Sequence, residues 1–281
     1  MTSKNSRRAG LAAALILAVG VAGHVPETGR AATAEAVDRS TLRVCADPSN
    51  PPFSTEAGDG FENKIAELLA KELGVPVRYT WYPDTMGFIR NTLRARKCDL
   101  VMGTTTANEL LQNTNPYYRS AYSLVYREDS DLSISSINDP VLKRLKIGAI
   151  AATPPIDLLV QNGLLTQLRP YQLLVDTRHY DPGYDVVHDV AIGEIDVGIV
   201  WGPIAGYYAK QEDTPLTIVP LHSEAGGPHL DYRITMGVRP NEPEWKREIN
   251  RLIRKTQPEI NRILLDYGVP LLDEMGKPIK P

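Results

Sequence analysis

The residues in this chain with chemistry to offer are carboxylates, hydroxyls and aromatic rings at the ends of apolar runs. Asp47 and Phe53 lie just past the run 42–46, and Glu62 opens the periodic stretch after it. Trp81 and Tyr82 follow a second run, and Thr104, Thr105 and Thr106 close a third. Tyr117 and Tyr118 precede 121–126, Thr153 follows 146–151, Tyr180 and Tyr184 precede 186–192, and Trp201 ends 196–201. Carboxylates orient ligands, hydroxyls donate or accept, and aromatic rings give flat, amphipathic contact area. Each has a plainer role too. Asp47 suits a cap on loop amides, the threonines suit a turn, and the aromatics suit core or inter-lobe packing.

No catalytic set emerges. His179, His188, His222 and His229 lack metal-ligand spacing, and structural or surface roles account for them. No nucleophile elbow, P-loop or dinucleotide fingerprint is present, and neither Gly148 nor Gly226-Gly227 belongs to a nucleotide pattern. The expectation is a protein that is not an enzyme and has no metal and no cofactor.

These groups need a scaffold. Leu42–Ala46 reads as a buried strand, followed by a loop stiffened by Pro48, Pro51 and Pro52. Ile65, Leu68, Leu69 and Leu73 share one helical face, and Gly74 stands where a left-handed C-cap belongs. Strands are expected at 77–81 and 99–104, with a helix over 84–96 between them, and this alternation implies a parallel sheet with right-handed crossovers. A strand at 121–126 leads into the polar stretch 127–131, the first expected crossing between units. The second unit begins at Ile134, with strands at 146–151, 196–201 and 217–220 and helices after Thr153, a candidate N-cap, and near 186–192. The Gly- and Pro-rich stretch 222–229 is the expected return. A strand at 232–238 follows, then two helices, 245–255 and 258–267, separated by Pro258. In such a sheet, ligands bind at the carboxyl ends of the strands.

Of 281 residues, the first 36 carry Lys4, Arg7 and Arg8, then a short apolar stretch and small residues, which reads as a secretory signal peptide. The stretch is shorter than the roughly 20 residues a membrane span needs. No Phe-Leu follows Arg7-Arg8, which favours general over twin-arginine export. Without these residues, four basic and two acidic, the net charge goes from −3 to −5. No basic stripe is left for nucleic acid or anionic lipid. Cys45 and Cys98 are the only cysteines. Export makes one disulfide the default, with two buried thiols as the alternative.

The phrases LRVCADPSNPPF, GFENKIAELLAKELG, CDLVMGTTT, NPYYRSAYSLVYR, KIGAIA and GEIDVGIVWGPIAGYYAK resemble the amino-acid-type periplasmic solute-binding proteins, family 3, over nearly all of 41–270. The resemblance implies an α/β, bilobed periplasmic-binding-protein fold (type II). Two mixed, mostly parallel sheets with flanking helices would be joined by two hinge strands. The lobes are expected at 37–127 with 229–281, and at 128–228. Two grips typical of that family are missing. No arginine follows the third strand to fork a ligand carboxylate, and Trp201 stands where an aspartate would hold the ammonium. A free amino acid is therefore not the expected ligand.

A narrower resemblance, carried by GFENKIAELLA, GFIRNTLRARKCDLVMG and NPYYRSAYSLVYR, is to the J accessory proteins (MxaJ and XoxJ) of methanol dehydrogenases. In that group Glu62-Asn63-Lys64 replaces the usual aspartate and the paired cysteines recur. It implies a monomeric periplasmic accessory protein that assists assembly or activation of a PQQ-dependent methanol or alcohol dehydrogenase, dependent on lanthanide or calcium. The dehydrogenase, and with it its cytochrome c, would be the partner. Its expected cleft comprises Asp47, Phe53, Glu62, Trp81, Thr104, Thr105, Thr106, Tyr117, Thr153, Tyr184 and Trp201, with room for a small molecule or peptide. The alternative is a transporter receptor for a small non-amino-acid solute. A cyclohexadienyl-dehydratase-like enzyme comes third, with only Asp47, Glu62 and Asp185 as acids or bases.

Overall fold

The computed structural model describes residues 38–106, 109–173, 179–223 and 227–279. The leader expected at 1–36 and Gly226 lie outside them. Strand β1 (Leu42–Ala46) has parallel neighbours on both sides, so its run is apolar on both faces. Leu42 and Val44 face one core, and Cys45 faces a second. After the short strands β2 (Ser49–Asn50) and β3 (Ser54–Thr55), helix α1 (Phe61–Leu73) begins at Gly60. Any Cβ on Gly60 would lie 2.1 Å from the Phe53 carbonyl oxygen, so glycine is required there. The Asn63 Oδ1 accepts from the Gly60 and Thr55 amides at 3.1 and 3.0 Å, which ties the loop carrying Phe53 onto the helix. Gly74 ends α1 at φ +70°, the left-handed cap its position requires.

Next come β4 (Val77–Trp81), α2 (Phe88–Asn91) and β5 (Leu100–Thr104), then the 16-residue β6 (Gln112–Arg127). Up to Ala121, β6 runs antiparallel to β11 (Asp231–Val238), giving the order β4-β1-β5-β11-β6. From Tyr122 it instead pairs with β9 (Val197–Trp201) and β10 (Leu216–Pro220). Beyond β9 lie β7 (Ile147–Ile150) and β8 (Leu168–Tyr171), both parallel. Helices α3 (Pro154–Gln161), α4 (Pro182–Ala191) and α5 (Gly202–Ala209) belong to this second half, and α6 (Pro243–Asp266) packs on the first. The result is a curled α/β architecture with two mixed sheets sharing β6. The partner exchange at Ala121–Tyr122 comes a few residues before the polar stretch 127–131. Tyr122 donates its amide to Leu230 O and accepts from the Leu221 amide, both at 2.8 Å, so the outgoing and returning chains meet there.

Three local expectations change. The helix expected over 84–96 is one turn, α2. It starts at Gly87 with φ +97°, and the Thr92 hydroxyl donates to Phe88 O at 2.6 Å. The amides of Arg94 and Lys97 then reach five residues back, which widens the coil and stops an α-helix propagating. Pro258 does not split the last helix. Trp245, Ile249, Leu252, Ile253, Thr256, Ile260 and Leu264 form one continuous buried stripe, and that packing outweighs the hydrogen bond proline cannot donate. Thr153 sits at the start of α3, but its hydroxyl donates to Ile150 O at 2.6 Å rather than capping the helix.

The two halves also touch at a glycine pair. A Cβ on Gly206 in α5 would lie 1.8 Å from the Gly268 carbonyl oxygen, just past α6. Tyr207 stacks on Tyr267 at 6.0 Å, and the Lys210 ammonium donates to Asp266 O at 2.7 Å. Backbone cannot yield as a side chain tip can. Gly206→Ala should therefore cost about 1–3 kcal/mol in a urea titration, and an unchanged midpoint would contradict this.

Candidate functional site

A cavity of about 320 Å³ opens where the two halves meet. Phe53 reaches it from the loop pinned by Asn63, and Glu62 from the first turn of α1. Tyr118 and Tyr122 project from one face of β6, four residues apart as the pleat dictates. Tyr232 and Ile234 enter from β11, Met102 and Gly103 from β5, and Trp201 from the end of β9. Asn50, Asp84 and Thr105 complete the lining, which contains no lysine or arginine among the described residues.

Glu62 is the unusual group. It is 7% exposed, and its Oε1 accepts from the Tyr117 hydroxyl at 3.3 Å. That hydroxyl in turn accepts from the Gly103 amide at 3.2 Å. Burial pushes the carboxyl up to about 8, Asp84 adds to the rise, and the Tyr117 hydrogen bond opposes it. At neutral pH Glu62 is therefore mostly a neutral acid that can donate a hydrogen bond. Gly103 makes this possible: at φ +66° any Cβ would lie 2.3 Å from Glu62 Oε1. Asp84 is exposed and lines the recess. Lost hydration and the neighbouring Asp47 raise its carboxyl above the ordinary range. Burial raises Tyr122 to about 12 and lifts Tyr117 and Tyr118 well above the phenol range, so all three stay neutral.

Of the expected cleft residues, Phe53, Glu62, Thr105 and Trp201 line this cavity. Asp47 does not: its carboxylate accepts from the Ser49 amide at 2.8 Å and the Asp84 amide at 2.6 Å, a loop-capping role that positions Asp84. Tyr117 is buried behind the wall, supporting Glu62. Thr104 bonds to Thr235 within the sheet, and Trp81 stacks on Tyr79 at 4.5 Å. Thr106 is exposed beyond β5, Thr153 opens α3, and Tyr184 stacks on His188 in α4; none of these lines the cavity.

Sequence reasoning overlooked Tyr122, Tyr232 and Asp84. The alternation Tyr118, Ser120, Tyr122 marks one face of a strand and would have exposed the first, had β6 been traced from Gln112. Cys45 and Cys98 form a disulfide with Cα atoms 5.6 Å apart.

The model of the bacterial extracellular solute-binding proteins, family 3, matches residues 42–268. Protein MoxJ of Methylorubrum extorquens AM1 is 32% identical over 87% of this chain and 86% of its own length. The crystal structure of periplasmic binding protein XoxJ from Methylobacterium extorquens AM1 aligns at TM-score 0.71 and 43% identity, over 83% of this chain and all of that one. MxaJ from Methlophaga aminisulfidivorans MPT aligns at the same TM-score and 28% identity, over 82% of this chain and all of its own.

Proposed function

Because the chain belongs to family 3 of the bacterial extracellular solute-binding proteins, we propose that it uses the cleft between its halves as a clamp for a partner. In this reading it is a periplasmic accessory protein that assists assembly or activation of a PQQ-dependent methanol or alcohol dehydrogenase. The observation carrying the proposal is the cavity lining: five aromatic side chains, two carboxyls and no guanidinium to fork a ligand carboxylate. Trp201 ends β9, where amino-acid-binding members of the family carry the aspartate that grips the ammonium. The similarity to MoxJ, XoxJ and MxaJ supports the same reading. Residues 37–127 with 229–281 would form one lobe and 128–228 the other, bending where Tyr122 meets the returning chain. Aromatic anchors in a desolvated pocket give a clamp affinity without charge.

The test is capture of the purified dehydrogenase on the immobilised protein. Trp201→Ala should weaken capture roughly 30-fold, as loss of a hot-spot anchor worth about 2 kcal/mol does. Equal capture by the two proteins, both folded by circular dichroism, would reject the proposal. The cavity volume favours a second reading, since about 320 Å³ also suits a drug-sized ligand. A transporter receptor for a small non-amino-acid solute would show tight binding of that solute and no capture of the enzyme.

A further inference from the structure

We infer that the cavity takes a positively charged organic group, an alkylammonium carried by a small solute or by a lysine of a partner protein. Its apolar shell would lie against Trp201, Tyr122 and Tyr232 and its charge toward Asp84 and Glu62. The inference rests on the reading of this cleft as the working site and names what enters it.

The first observation is the arrangement of the rings. Trp201 lies 5.4 Å from Tyr122 and 5.8 Å from Tyr232, and the two tyrosines are 6.4 Å apart. The planes meet at 65°, 73° and 72°, so the rings stand like the walls of a corner rather than as a stack. Rings at steep angles to one another offer negatively polarised faces from different directions, and such faces attract alkylammonium groups. The second is the charge balance: two carboxyls and no basic side chain line the cavity among the described residues. An anion would find no cationic side chain to pair with among the described residues there. The third is Glu62 itself, more than nine-tenths buried yet part of the cavity lining, with Oε1 held by Tyr117.

The groups facing Glu62 from each packed element are Tyr117 and Tyr118 from β6, Gly103 from β5, Tyr79 from β4 and Asp84 from the loop after it. None of them is cationic. An incoming cation would be the first positive charge beside this acid and would favour its ionised form. Binding then releases the Glu62 proton to solvent and leaves a carboxylate–ammonium pair. Occupancy should therefore tighten with rising pH. A larger recess of about 590 Å³ on the other side of Tyr117 and Tyr118 is of mixed charge, with Arg119, Arg233 and Arg254 as well as Asp273 and Glu274 in its walls.

Calorimetric titration of the purified protein tests this with three probes: choline, Nα-acetyllysine methylamide, and 3,3-dimethylbutan-1-ol, the uncharged isostere of choline. At least one cation should bind ten times more tightly than the isostere. Its affinity should rise at least threefold between pH 6 and pH 9, with a buffer-dependent heat reporting the released proton. Glu62→Gln should abolish the pH dependence, and Asp84→Asn, a change at a partly exposed site, should weaken binding at least threefold. Tighter binding of choline points to a free solute, and tighter binding of the lysine derivative to a partner side chain. Binding of neither cation more tightly than the isostere, or no cation binding to the folded protein, overturns the inference. If the dehydrogenase is still captured in that case, the clamp proposal survives; if cations bind but the enzyme is not captured, the clamp proposal falls and this inference stands.

Discussion

Glu62→Gln should stabilise the protein at pH 8 and above by up to roughly 5 kcal/mol and have almost no effect near pH 4. The sign follows from the raised carboxyl. Below the ordinary glutamate value of 4.5, both folded and unfolded chains hold the proton and burial costs nothing extra. Between 4.5 and about 8 the unfolded chain gives up its proton while the folded one keeps it, so stability falls with rising pH across that window. Each unit of separation is worth about 1.4 kcal/mol, which sets the ceiling. Glutamine keeps the shape and can still accept from Tyr117, but it has no proton to lose. In thermal melts between pH 4 and pH 9 the two proteins should diverge by on the order of 10 °C at the alkaline end. Parallel curves would show that Glu62 is not held neutral.

Breaking the Cys45–Cys98 bridge should cost about 3–4 kcal/mol. The bond closes a loop with a sequence separation of 53, and the chain-entropy account puts loops of that size near 4 kcal/mol. Within the loop lie Phe53, Glu62 and Asp84, so the bridge also holds the strand ends that carry one wall of the cavity. Both sulfurs sit in a core with Phe88, Ile89, Leu93, Val101 and Leu111. Cys45→Ser with Cys98→Ser would add buried hydroxyls to that core, so the cleaner comparison is the wild type with and without reductant. The urea midpoint should fall on reduction; an unchanged midpoint would mean the closed loop contributes nothing.

Strands buried on both sides announce themselves, and β1, β5 and β9 could be traced from their apolar runs alone. Helix α1 was equally legible because Ile65, Leu69 and Gly74 fall at helical positions. Gln112 to Pro116 gave no such signal. Asn, Thr and Pro read as a turn, yet pairing with β11 makes them strand, a tertiary override of local preference. Pro258 misled for the same reason, because the buried stripe of α6 continues past it. For the cavity, looking at strand ends located Phe53, Thr105 and Trp201, and the first turn of α1 gave Glu62. That habit missed Tyr122, which sits in mid-strand where β6 exchanges partners, and Tyr232, which pairs beside it. Asp84 was hidden because it was counted as the start of a helix that does not form.

At the centre is a solute-binding-protein scaffold whose pocket is lined by five rings and two carboxyls, with no lysine or arginine among the described residues. The most direct measurement is a calorimetric comparison of the free amino acids that lack a cationic side chain with the purified quinoprotein dehydrogenase as titrants. None of these zwitterions should give measurable heat and the enzyme should bind saturably, as expected of a clamp for a partner. Micromolar binding of one of these amino acids, with no heat from the enzyme, would contradict the clamp.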